Sequence, residues 1–195
     1  MEEGLFAARC VIFAIVAVLA AGPAVSQRPP EVRTDGAIDA GQHGFDWELG
    51  TWKTKVRVLR NPLSGKPPLW ADYEGTSVVR SLLGGRANFV ELDVRGSAGR
   101  IEGGSLRLYN PQSQQWSLNY ASLRNGVLTA PVYGSFNEHG RGIFYGQDLL
   151  DGRAVIVRFI ITRASRTEAH FDQAYSIDGG ETWEFNWIAV DTLSE

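Results

Sequence analysis

Sulfur is nearly absent from this sequence. Its one cysteine is Cys10. That residue lies in the apolar segment 10–21, and a chain without this segment has no thiol. Disulfides, zinc–thiolate sites and cysteine nucleophiles are then excluded. Charge is equally sparse in pattern. The net charge is −3, and no run of like charges occurs. Nucleic acid is not an expected partner, because phosphate binding needs a basic footprint. The three histidines, His43, His139 and His170, are not spaced as a metal pair, and no H-E-x-x-H occurs. No metal and no cofactor is expected. The sequence also has no Asn-x-Ser/Thr acceptor, no nucleophile elbow, no βαβ rhythm and no repeat at a period of 20–50 residues.

What is present begins with an export signal. Residues 10–21 read CVIFAIVAVLAA, without a charge. Gly22 and Pro23 break the run, and Ala24-Val25-Ser26 offers a small-x-small cleavage site before Gln27. Residues 1–26 are therefore read as a secretory signal peptide. An uncleaved anchor is the competing reading, since residues 7–25 are about long enough to span a bilayer. After cleavage no stable membrane insertion is expected, and the chain resides in the periplasm or outside the cell. Residues 27–44 are polar, rich in Pro, Gly and Asp, and read as a flexible lead-in.

From residue 45 to 192 the chain alternates, or runs apolar, in short pieces split by Gly, Asn, Asp and Pro. Residues 51–59 set the pattern: Trp52, Thr54, Val56 and Val58 share one face, and Lys53, Lys55 and Arg57 the other. Further strands are expected at 73–79, 87–94, 101–109, 116–123, 127–136, 142–149, 154–162, 168–177 and 182–190. Asn125-Gly126, Asp151-Gly152 and Asp178-Gly179-Gly180 mark hairpins between them. About ten short strands joined by tight turns make an antiparallel up-and-down meander, and one this long closes to remove its edges. The expected fold is an all-β antiparallel barrel of about eight to ten strands.

Gly50-Thr51-Trp52, entering the first long strand, resembles the glycine-x-tryptophan signature of calycins, the lipocalin-like barrels. That resemblance implies that the Trp plugs the base, with an Arg from a late strand often packed on it. The rest of the chain resembles a family of exported bacterial proteins of unknown function with a calycin-like barrel. The matching stretches are Tyr109-Asn110-Pro111 with Gln115-Trp116-Ser117, Gly140-Arg141-Gly142 with Phe144-Tyr145-Gly146, Val157-Arg158-Phe159, and Gln173-Ala174-Tyr175-Ser176 through Asp178 to Trp187. The resemblance runs from residue 45 to the end and implies a fold without an activity. Ser176 to Trp183 also resembles the Asp-box hairpin of sialidases and other propellers. There the motif is a structural turn with the Trp packed beneath, and a single copy reads here as a hairpin staple.

Several polar residues sit on strands too apolar for them. Arg158 shares a face with Ile156 and Ile160. Gln173 lies between Phe171 and Tyr175, and Glu184 and Asn186 share the face of Ile188. If they converge inside the barrel they make a polar floor in an apolar cup, the composition of a small-molecule pocket. The alternatives are an Arg–Glu pair that only fixes register, an Arg stacked on Trp52, or an exposed Arg158. Glu91 and Asp93 point the same way from their strand; such carboxylates can do acid–base work but more often face water. The haem-binding barrels of the resembled fold use a late-strand His as iron ligand, which would make His170 an axial ligand; an exposed or hydrogen-bonded His is the plainer reading. Trp183, Phe185 and Trp187 share a face.

The function expected is an exported protein that binds a small, partly apolar molecule. Arg158, Gln173, Glu184 and Asn186 would orient it against Trp187 and Tyr175, and an anionic group would suit Arg158. An isomerase or hydrolase using Glu184 or Glu91, and a structural protein with a filled barrel, are the alternatives. The export reading predicts that the chain recovered from its secretory compartment starts at Gln27. An N-terminal peptide mass retaining Phe13 and Leu19 would instead mark an uncleaved anchor.

Overall fold

The computed structural model describes residues 40–194. The expected signal segment and residues 27–39 of the lead-in lie outside them. Eleven strands follow in order: β1 Gly50–Leu59, β2 Trp70–Leu82, β3 Ala87–Gly96, β4 Gly99–Asn110, β5 Gln115–Ser122, β6 Val127–Leu128, β7 Val132–Phe136, β8 Arg141–Leu150, β9 Arg153–Arg163, β10 Glu168–Ser176 and β11 Glu184–Leu193.

Every pairing is antiparallel. β1 pairs with β11 and β4 with β5, so ten strands close into a ring, with β6 attached to β5 beside it. The expected strand at 127–136 is divided in two. Pro131 has no N–H for the ladder, so pairing stops at Leu128 and resumes at Val132. Asp151 (φ 50°) and Gly152 (φ 79°) form the two-residue hairpin between β8 and β9; positive φ at both positions gives a turn whose twist matches the strands it joins.

Alternation decides what faces inward. Trp52, Thr54 and Val56 of β1 turn in, and Lys53, Lys55 and Arg57 turn to solvent. The inward residues of one end form a dense core around Phe45, Val56, Tyr109, Trp116, Phe144 and Ile161. This end, the base, is closed by residues that precede the first strand.

Residues 40–44 are more than a lead-in. Ala40–His43 makes a 3-10 turn, and the Trp116 indole N–H donates to the Gly41 carbonyl at 2.8 Å. Phe45 then enters the base edge-on to Trp116 (5.0 Å) and Phe136 (4.8 Å), geometries that suit the ring quadrupole. A second 3-10 turn, Asp46–Glu48, leads into β1. Trp52 is buried there, and its indole N–H donates to the Glu48 carbonyl at 2.7 Å. Arg163, at the end of β9, lies over the Trp47 ring at 5.7 Å. The late-strand Arg thus reaches a tryptophan beside Trp52, which meets Trp52 edge-on at 6.2 Å.

The side chain of Glu48 turns inward and meets Arg107 of β4. The guanidinium donates to both carboxylate oxygens, with Nη2 to Oε1 at 3.2 Å, and side-chain exposure is only 4% for Arg107 and 2% for Glu48. The Arg107 guanidinium also lies 4.2 Å from the Phe45 ring centroid, a cation–π contact between two buried side chains. Removing one partner strands the other charge in the base, so Arg107→Met alone should cost about 3–5 kcal/mol in urea unfolding. Adding Glu48→Leu to it should recover most of the loss. A double variant as unstable as the sum of the singles would show that the pair is not a unit.

Candidate functional site

Above the base the barrel is hollow. A cavity of about 360 Å³ runs from the buried ion pair towards the opposite end, so the barrel is not filled. Its walls are largely apolar and aromatic. Val56, Leu118, Val132 and Trp187 contribute, and Phe159 and Phe171 stack at 6.4 Å. Gln147, Asp148 and Ala130 belong both to the cavity and to an open depression on the rim beside Leu149 and Ile177. That rim is the mouth.

The deep end is polar. Thr54, Ser77, Arg107 and Asp191 bound it. Asp191 is 4% exposed. Its Oδ2 accepts from the Ser77 hydroxyl at 3.3 Å, and Ser77 in turn shares a short hydrogen bond with Thr54. Asp191 Oδ1 and Arg107 Nε have no hydrogen-bond partner among the described residues. Burial pushes the Asp191 carboxyl up to about 6, and the nearby Glu48 charge adds to this; Thr54, Ser77 and Arg107 pull the other way. Midway up, burial raises the hydroxyls of Tyr120 and Tyr175, so both stay neutral donors.

No family model matches the chain, and no curated protein does. Solved structures do resemble it. The S-type phycobiliprotein lyase CPES from Guillardia theta superposes with a TM-score of 0.57 at 10% identity, covering 79% of this chain and 92% of that one. EF1p2_mFAP2b bound to DFHBI superposes with a TM-score of 0.44 at 10% identity, over 80% of this chain and 100% of that one. The fold is a lipocalin-like barrel.

Three residues expected in the site line the cavity of this lipocalin-like barrel: Gln173, Tyr175 and Trp187. Asn186 sits just behind them. It is the extra residue of a bulge opposite Gln173 and Ala174, and its Oδ1 lies 3.5 Å from Gln173 Nε2. The bulge re-aims the start of β11. Glu184 is carried to the rim opposite Tyr175, where its carboxylate accepts the backbone N–H of Leu63 in the loop between β1 and β2. It does not line the cavity.

Arg158 is a correction. Its neighbours on β9, Val157 and Phe159, face the cavity, so Arg158 points out. It stacks on Trp183 at 4.1 Å, with Tyr145 6.1 Å from the same ring. The Asp-box hairpin brings Trp183 there. Ser176 Oγ donates to Asp178 at 2.7 Å and accepts from Gly180 N–H at 2.8 Å, and Asp178 accepts the Thr182 N–H at 3.0 Å. These bonds, led by the Thr182 hydroxyl, hold the Asp178 carboxyl far below its ordinary range. Arg158 is apolar-flanked because the hairpin covers the outside of β9. An anionic ligand group inside the barrel cannot meet it, and neither can Trp52.

Other expectations also move outward. Glu91 pairs with Arg80 at 2.8 Å and Asp93 with Arg100 at 2.7 Å, all on the outer wall, so neither carboxylate reaches the cavity. His170 pairs with Glu168 at 2.9 Å beside the inward Phe171, so it cannot ligate an iron held inside. Phe185 is exposed, separated by the bulge from the inward Trp187. Among the described residues, no group of three or more His, Cys, Asp and Glu side chains is placed to hold a metal, and no helix is long and apolar enough to cross a membrane.

The floor is made by residues outside the expected site: Thr54, Ser77, Arg107 and Asp191, with Glu48 behind. A signal existed in Ser105-Leu106-Arg107-Leu108-Tyr109, where Arg107 shares a face with Tyr109, and in Asp191, two residues from Ala189.

The floor has a stability signature. Unfolded, the Asp191 carboxyl loses its proton near its ordinary value of 3.8; folded, it keeps it up to about 6. The folded state then binds the extra proton between those values, so this residue's contribution falls as pH rises through about 6. Asp191→Asn has no proton to lose. It should be stabilised over the native chain by roughly 3 kcal/mol near pH 8, and the gap should close towards pH 4. Urea unfolding at both pH values checks this, and a gap independent of pH would contradict it.

Proposed function

We propose that this chain is an exported small-molecule-binding protein, working in the periplasm or outside the cell, that holds a small, partly apolar molecule inside its barrel. The observation that carries this reading is the cavity: about 360 Å³, walled by aromatic and aliphatic side chains, with a few placed polar groups at its floor and around Gln173, Tyr175 and Asn186. Binding sites for compact organic molecules have this size and balance. Export is supported by the signal-like residues 1–26 and by the resemblance to an exported bacterial family.

Asn186 and Gln173 orient the Tyr175 hydroxyl from one side of the cavity, with Trp187 as a flat wall next to them. A ring stacked on Trp187 would present its polar edge to this group. Catalysis is the second reading. It is favoured by Asp191, the one cavity-lining carboxylate raised by burial, since a proton acceptor held near 6 is suited to general-base work. The phycobiliprotein lyase shows that this fold can carry an enzyme.

Native mass spectrometry of the protein from its own secretory compartment should show a bound organic mass. Ala189 lies on the cavity wall between Val56 and Phe171, so Ala189→Phe fills the space with little change elsewhere. Uptake should fall at least about tenfold while the barrel stays folded. Unchanged uptake by a folded Ala189→Phe chain would place the ligand outside the barrel and overturn the reading.

A further inference from the structure

The charges that line the cavity are unevenly matched. Arg107 is the only Lys or Arg side chain among the lining residues; its charge is matched by Glu48, which accepts from both Nη atoms, and only Nε is left without a partner among the described residues. Two carboxylates line the same space, Asp191 at the floor and Asp148 at the mouth. With Glu48 cancelling Arg107, the ionised floor carries one net negative charge. Asp191 is nine-tenths buried or more, it bounds the cavity, and one of its oxygens has no donor among the described residues. A buried carboxylate in that state is costly until something supplies a donor or a positive charge.

The walls favour the same kind of guest. Phe159, Phe171, Trp187, Tyr120 and Tyr175 all present aromatic surface to the cavity, and ring faces attract cations and repel anions. Gly103 on the neighbouring strand leaves room for Tyr120: a Cβ there would fall 2.5 Å from the Tyr120 hydroxyl. The preference is therefore built from both the floor and the walls.

We infer that the barrel selects organic cations: compact molecules with an apolar, largely aromatic body and a protonated nitrogen that enters first and pairs with Asp191. This rests on the small-molecule-binding reading and adds to it the class of ligand. The groups facing Asp191 are few. Glu48 before β1 and Arg107 on β4 are the charged ones; Thr54 on β1, Ser77 on β2 and Ala169, its register partner on β10, carry no charge. Asp191 is thus the group whose ionisation sets the charge of the floor near neutrality.

Three probes with one body separate the possibilities: 4-phenylbenzylamine, 4-phenylbenzyl alcohol and 4-phenylbenzoate, titrated calorimetrically into the full chain. The amine should bind at least about tenfold tighter than the carboxylate, with the alcohol between. Asp191→Asn should weaken the amine about tenfold and leave the alcohol within about threefold. Should that variant fail to fold, the native chain gives the same answer by pH. The amine should lose affinity between about pH 7.5 and pH 5 as Asp191 takes up its proton, while the alcohol does not change. A carboxylate that binds as tightly as the amine, or an amine indifferent to both the substitution and pH, overturns the inference and leaves the binding reading intact. No uptake of any of the three overturns both.

Discussion

The Glu48–Arg107 ion pair is the point on which the lower half of this barrel depends. It joins the turn before β1 to the far wall on β4, residues that no ladder hydrogen bond connects. Two charges taken out of water are stable only when each satisfies the other, and here the bonding is bidentate, with Phe45 laid against the guanidinium. The pair demands that Glu48 be brought inside, and that requirement fixes the path of residues 41–48 beneath the strands. Phe45, Trp47 and Trp52 fill the space that this path leaves. The base of the barrel is therefore closed by an electrostatic contact wrapped in aromatic rings.

The same pair shapes what lies above it. By consuming the one cationic side chain that lines the interior, it leaves Asp191 to set the character of the floor. Thr54 and Ser77 supply hydroxyls to this corner, enough to hold the carboxylate in place and too few to saturate it. A hollow of about 360 Å³ then sits over an acceptor with spare capacity. Structure and proposed use meet at that corner.

The strands were legible because alternation and turn chemistry are local. Lys53, Lys55 and Arg57 could only face water, and Asp151-Gly152 could only turn the chain sharply. Which face of an apolar strand turns inward is not local. Arg107 and Arg158 each sit in a largely apolar stretch of strand; Arg107 points in and Arg158 out. The difference is made by the Asp-box hairpin, whose Trp183 folds over the outside of β9 and makes both faces of that strand apolar. Glu184 was displaced by a single-residue bulge, which alternation cannot foresee. Asp191 lies one residue past the expected strand at 182–190; it is interior because β11 continues to Leu193 against β1 and β10. Gln173 and Tyr175 line the cavity because they share one face of β10 with Phe171.

The break between β6 and β7 has a mechanical consequence. At that place β7 and β5 share only three residue pairs, Trp116 with Gly134, Ser117 with Tyr133 and Leu118 with Val132, with two more from β6 and a Thr129 N–H bond to the Tyr120 carbonyl between them, whereas β8 and β9 share ten. Thr129, Ala130 and Val132, which flank the break, are also part of the cavity wall. The ladder is short there, and the pairs that remain belong to the plugged base, where Trp116 donates to Gly41 and Phe45 packs between Trp116 and Phe136. A barrel closed by so short a ladder leans on its plug: this part of the wall is held less by backbone pairing than by the rings stacked against it from inside.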